Sequence, residues 1–261
     1  MHEIRLAWLF FRVGAMNELQ YRVNFFLQLF QSVLAIGTGL VSLWLIFSHT
    51  SSLQGWNPAQ LLIVMGVFTL MGGVIQTTIQ PNMTQLIEDV QQGTFDYVLT
   101  KPADAQVLAS IRRVEIWQSV DVLTGVIIVL IGVLRLQSQF GFGRAVTFLL
   151  MLVVGALLIY CFWMILTTLA FWVTSMWHLV ELFAGVYNAG RYPVGIYPGW
   201  LRYGLTVVVP VAFAVTVPSE ALTGRLDTKT VLGAVALSLI LVTITRVFWS
   251  FGLRRYSGAS A

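Results

Sequence analysis

The sequence predicts an all-α polytopic membrane protein. It has six transmembrane helices, an amphipathic interfacial helix at the N-terminus and a re-entrant helical pair before the last span. Three observations carry this. Of 261 residues, 57% are hydrophobic and only 10% charged, where soluble domains average about 25% charged. The mean hydropathy is +0.82, and several apolar stretches reach the roughly 20 residues that a helix needs to cross a bilayer. The ~10-residue alternating segments of a membrane β-barrel are absent from the sequence.

Residues 1–22 read as the interfacial helix. Ile4, Trp8, Phe11, Ala15 and Leu19 recur at helical spacing, and Arg5, Arg12 and Glu18 break the remainder. Such a helix lies in the plane of the membrane surface. The same charges interrupt any cleavable-signal pattern. The first span runs from about Val23 to Phe47 and the second from about Ala59 to Gln80, after a turn at Gly55 and Pro58. A polar loop, 81–117, follows. The third span covers about Gln118 to Leu134. Between Ala145 and Gly190 the ionisable groups are His178 and Glu181 besides Tyr and Cys, and the length suits two helices, with a turn at Thr174-Ser175.

The segment 191–224 carries Pro193, Pro198, Pro210 and Pro218. Pro210 splits an apolar run, which suits two half-helices that dip into the membrane and return. The rival reading makes Trp200 to Val217 a full span and leaves Trp177 to Gly190 at the surface. The last span is Val231 to about Phe251. With both termini and the central loop on one side, Lys and Arg divide nine against six, or eleven against four in the rival reading. The positive-inside rule then makes that side cytoplasmic, and a plasma (inner) membrane location is expected.

In the central loop a short helix over about Met83 to Gln92 is expected, stopped by Gly93. An extended Phe95-Asp96-Tyr97 comes next, and Pro102 opens a second helix. A bare connector needs only a few residues, and this one spends about 35. Its aromatic residues argue against disorder.

Gly93-Thr94-Phe95-Asp96-Tyr97-Val98-Leu99-Thr100-Lys101-Pro102 resembles the loop after the second span of ABC-2-type permeases, the membrane subunits of ABC exporters. Tyr192-Pro193-Val194-Gly195-Ile196-Tyr197-Pro198-Gly199-Trp200-Leu201-Arg202, continuing through Pro210 to Pro218, is similar to the proline-marked region before their last span. The resemblance implies a single permease domain over 1–261. It also implies pairing with a second permease copy or a sister permease, and docking on a separate ABC ATPase subunit. The loop over 81–102 would couple to that ATPase through Leu86, Glu88, Asp89, Gln92, Phe95 and Asp96, with Glu3 and Arg5 flanking the contact. ATP and Mg would then be held by the partner. In agreement, neither lysine, Lys101 or Lys229, follows a glycine as a phosphate loop requires.

Asn24, Gln28, Gln31, Ala35, Thr38 and Ser42 fall on one helical face of the first span, and Gln76 and Thr77 add polarity to the second. These residues either pack helices together or line a translocation path. Glu181 joins them as an intramembrane carboxylate, three residues from His178. That pair is too few ligands for a metal. Asp121 reads as a charge favourable at a helix N-terminus. The net charge of +4 reads as membrane orientation rather than nucleic-acid binding. The leading expectation is an exporter subunit for amphipathic or hydrophobic compounds. The alternative is a proton-coupled secondary transporter that uses Glu181, although no matching halves are visible. A catalytic constellation for an intramembrane enzyme is absent from the sequence.

Overall fold

The computed structural model describes residues 22–136, 141–173 and 178–256. The interfacial helix, with Glu3 and Arg5, lies outside the described residues, as does the turn at Thr174-Ser175. Five described helices are long and apolar enough to cross a membrane: α1 Val23–His49, α2 Pro58–Gln91, α5 Ile116–Arg135, α6 Phe142–Phe171 and α10 Thr228–Leu253. Between them lie short helices α3 Asp96–Leu99 and α4 Ala105–Ile111, then α7 His178–Asn188. A bent pair follows, α8 Gly199–Val208 and α9 Ala212–Thr223, at 79° to each other.

Helix α2 starts with a capping box in which Asn57 and Gln60 bond each other's backbone N–H, and Pro58 occupies the first turn. It does not stop at Gln80. It widens into one π turn, Ile75–Ile79, and continues to Gln91, where Gly93 ends it with φ +71°. The expected separate helix over Met83–Gln92 is therefore the end of α2. The expected extended Phe95-Asp96-Tyr97 is the start of the single turn α3. Asp104, not Pro102, begins the second loop helix, its carboxylate accepting from the N–H groups of Gln106 and Val107.

Helices α2 and α5 pack antiparallel along a glycine seam. A Cβ on Gly66 would stand 2.7 Å from the Val129 nitrogen, and one on Gly73 would stand 2.6 Å from the Val122 nitrogen. From the other side, Gly125 lies against the Leu70 backbone and Gly132 against Ile63. The seven-residue spacing on each helix keeps both pairs on one face, and close backbone approach is how apolar helices gain dispersion contact in lipid.

One expectation for 145–190 is corrected. Helix α6 takes 30 residues as one long helix, but α7 has 11 residues, about 16 Å at 1.5 Å per residue, too short to cross alone. Helix α7 lies against the loop-end half of α6, with the Phe183 ring 4.8 Å from that of Trp163. Helix α9 lies against the other half, where a Cβ on Gly155 would meet the Phe213 carbonyl at 2.5 Å. The two helices meet where Gly190 abuts Val211. Residues 191–211 form an excursion that packs back on this junction. Tyr197 Oη donates to the Ala189 carbonyl at 2.8 Å, and the Val194 N–H donates to Thr216 Oγ1 at 3.3 Å. Pro210 forces the bend: Val209 before it is extended at φ −115°, ψ 104°.

Candidate functional site

Two features at the loop end stand out. The first is the loop itself. Asp89 organises its turn. The carboxylate pairs with Arg112 and accepts from Gln85 Nε2 at 2.9 Å and Thr94 Oγ1 at 3.2 Å, while the Asp89 carbonyl accepts the Phe95 N–H at 3.1 Å. Phe95 is 0% exposed, its ring edge-on to those of Phe171, Trp249 and Tyr256 at 5.6–6.0 Å. Leu86 is also in the core. Of the residues expected to touch an ATPase, Leu86, Asp89 and Phe95 are therefore internal supports. Gln92 is exposed, and Glu88 and Asp96 are half-buried. Tyr97, 75% exposed, with Leu99, Thr100 and Lys101, forms the protruding tip.

The return of the loop is anchored to α2. Asn82, buried, donates to the Arg113 carbonyl at 2.7 Å and accepts the Arg113 N–H at 2.8 Å. The Glu115 N–H donates to the Thr77 carbonyl at 3.0 Å. Pro81, four residues on from Thr77, has no N–H to give that carbonyl, which leaves it to the loop.

The second feature is a chain of three polar clefts that share walls. The clefts continue from the loop end toward the middle of the bundle. The innermost, about 360 Å³, lies between α1, α2, α5 and α7. Gln28, Gln31, Gln76, Gln80, Asp121 and Arg191 line it, with Phe68 and Tyr187 on its apolar side. Gln28 and Gln31 continue into a second cleft with Asn24, Arg113 and Gln118. Gln76 and Gln80 continue into a third with Glu88, Arg113, Glu115 and Glu181. Gln28 Nε2 donates to Asp121 Oδ2 at 3.0 Å. Tyr187 Oη donates to the Phe68 carbonyl at 2.7 Å, and their rings stack at 4.8 Å, which fixes α7 to α2.

The expected path residues thus divide. Asn24, Gln28, Gln31, Gln76 and Glu181 come together on these clefts. Thr38 lies beyond them, its hydroxyl donating to the Ala35 carbonyl. Thr77 joins the loop anchor through its carbonyl. Glu181 is at the rim, its side chain 85% exposed, 3.9 Å from His178 Nδ1. Sequence reasoning left out Asp121 and Arg191 as lining groups. Both were visible as charges bordering apolar runs, but nothing local says that residues 70 positions apart face one cavity.

No curated relative and no solved structure matches the chain. A family profile described as ABC-2 family transporter protein matches residues 33–260. The match covers the five long helices from within α1 onward, the loop and the bent pair, in order. It agrees with the resemblance seen in the loop and in the proline-marked region. This multi-pass membrane chain belongs to the ABC-2 family of transporter proteins, as the transmembrane component of an ABC transporter that works with an ABC ATPase subunit.

Proposed function

We propose that the chain is an exporter subunit for amphipathic compounds, and that two permease copies, or this chain and a sister permease, form the path between them. Loop 81–102 docks on the separate ATPase, which binds ATP and Mg. The termini and the loop face the cytoplasm of a plasma (inner) membrane chain, and the α7–α9 assembly supplies the fifth of six crossings, with 191–211 re-entrant within it. One observation carries this reading. The exposed loop tip and the mouth of the clefts lie at the same end of α2, Asn82 fastens the returning loop to α2, which walls those clefts, and Phe95 seats the loop against α6 and α10. A displacement of the tip then reaches the cleft wall without passing through a flexible joint. A proton-coupled mechanism through Glu181 gains no comparable support, since that carboxylate is exposed at the rim rather than enclosed.

The test is affinity purification of the tagged chain from mild detergent, with mass spectrometry of what accompanies it. Recovery of a soluble ATPase, lost on joint replacement of the exposed loop residues Gln92, Tyr97 and Lys101 by alanine, supports the reading. A folded chain that sustains transport with no ATPase overturns it.

A further inference from the structure

The innermost cleft holds one carboxylate and one guanidinium. Among the described residues neither Asp121 nor Arg191 forms an ion pair: Asp121 accepts from the amide of Gln28, and the Arg191 guanidinium lies over the Phe68 ring, 5.8 Å from its centroid. Both are half-buried in elements of a membrane bundle. Charges withdrawn from water are costly unless paired, and ionisable groups at membrane depth face cavities that use them. The rest of the lining has the opposite character. Gln28, Gln31, Gln76 and Gln80 offer amide donors and acceptors that bind a polar head without adding charge, and Phe68 and Tyr187 present ring surface to a hydrocarbon part. The carboxylates and guanidinium nearer the mouth sit in open clefts, where water and salt screen them. The inner pair is screened less, so it sets the preference.

We propose that this cleft is the recognition site for the cargo head group and that it selects a zwitterionic amphiphile. The cationic end of the head pairs with Asp121 and the anionic end with Arg191, with the chain against Phe68 and Tyr187. This deepens the exporter reading and rests on it for the word cargo; the site and its charge selectivity do not depend on an ATPase. A head with one charge leaves the other protein charge unpaired, which is the basis of rejection.

The experiment uses the full chain in nanodiscs of phosphatidylglycerol and three soluble probes that each carry one hexyl chain: hexylphosphocholine, hexyltrimethylammonium and hexyl phosphate. Binding is read by ligand-observed saturation-transfer NMR. The zwitterion should bind at least tenfold more tightly than either single-charge probe. Asp121→Asn should remove its advantage over hexyl phosphate and leave its advantage over the cation. Arg191→Gln should do the reverse, and Arg191→Lys should keep the original order. This crossed pattern is not produced by a general loss of fold, which weakens all three probes together; elution by gel filtration checks each variant. Three probes that bind alike to the unaltered chain, or an order that neither variant changes, overturns the proposal. Repeating the titration with phosphatidylethanolamine in the bilayer separates the two sources of such a head. Competition by the lipid identifies a membrane lipid as the natural occupant, and undiminished probe binding identifies a free amphiphile; either result upholds the zwitterion preference. Failure to capture an ATPase in the preceding experiment removes the transport reading and leaves the probe order unchanged.

Discussion

Asn82 grips Arg113 by its backbone, bonding both its N–H and its carbonyl across 31 residues of chain. A side-chain amide has one donor group and one acceptor and so mimics a strand neighbour. It also donates to the Thr78 carbonyl at 2.6 Å. Asn82→Asp keeps the acceptor but sets a buried carboxylate against the Thr78 and Arg113 carbonyls; Asn82→Ala removes the partner of both Arg113 backbone groups. A lost hydrogen bond costs about 0.5–1.5 kcal/mol and an unpaired buried charge costs more, so at neutral pH aspartate should lower the unfolding temperature more than alanine does. ATPase capture should fall with it. Thermal unfolding by tryptophan fluorescence, run beside the capture assay, checks the order.

Phe95 and Tyr97 are two residues apart and have opposite tasks. Phe95→Ala opens a cavity among Phe171, Trp249 and Tyr256 and should cost about 3–5 kcal/mol of stability. Tyr97→Ala touches an exposed ring and should leave the unfolding temperature within a degree or two while weakening ATPase capture. If Tyr97→Ala destabilises the isolated chain as much as Phe95→Ala does, the assignment of support and contact is wrong.

The glycine seam predicts a sharp size limit. At Gly125 a methyl group would press on the Leu70 backbone, which has no rotamer with which to yield. Overpacking of this kind costs about 1–3 kcal/mol, so Gly125→Ala should reduce the yield of monodisperse protein, and Gly125→Leu should abolish it. Gly143→Ala, where nothing stands within 4 Å, is the matched control on fluorescence-detected size exclusion.

Asp104 ties the loop to the last helix by pairing with Arg246. The hydrogen bond from that guanidinium, followed by smaller backbone bonds, outweighs burial and holds the carboxyl below its ordinary value. A depressed folded value stabilises the protein above the unfolded one, near 3.9, and the benefit is lost as pH falls through the folded value. Both partners are partly exposed, so the gain is at most about 1 kcal/mol and shrinks with salt. Asp104→Asn keeps an N-cap for α4 and removes only the charge. The gap in unfolding temperature between the unaltered chain and this variant should be present at pH 6, narrow below pH 4, and narrow also at high salt.

The long helices were legible because lipid imposes one simple rule, about 20 apolar residues per crossing, and α1, α2, α5 and α10 all begin within four residues of where that rule put them. Pro210 announced the bend. The second helix expected within 145–190 was misread because α7 and α9 are separated by 23 residues of chain, from Asn188 to Ala212 on the element bounds, that return to the same place. Phe95 in a polar loop looked like a contact residue, and only the fold shows three aromatic residues from α6 and the end of the chain closing over it. Asn82 carries no local signal at all, since its partner Arg113 lies 31 residues along the chain.

Helix α2 extends about 51 Å at 1.5 Å per residue over its 34 residues, with the hydrogen-bonded ladder widened at one turn but not cut. The α7–α9 assembly is cut, its halves joined only by side-chain packing and two bonds from the excursion. Under load the two respond differently. A push at the loop tip is carried by α2 as by a lever, from one face of the bilayer to the other. The same push on α7 is spent at the Gly190–Val211 joint and goes no further. In the proposed coupling, α2 and the α7 that Tyr187 fastens to it move as one, and the Gly190–Val211 joint is where α9 is left behind.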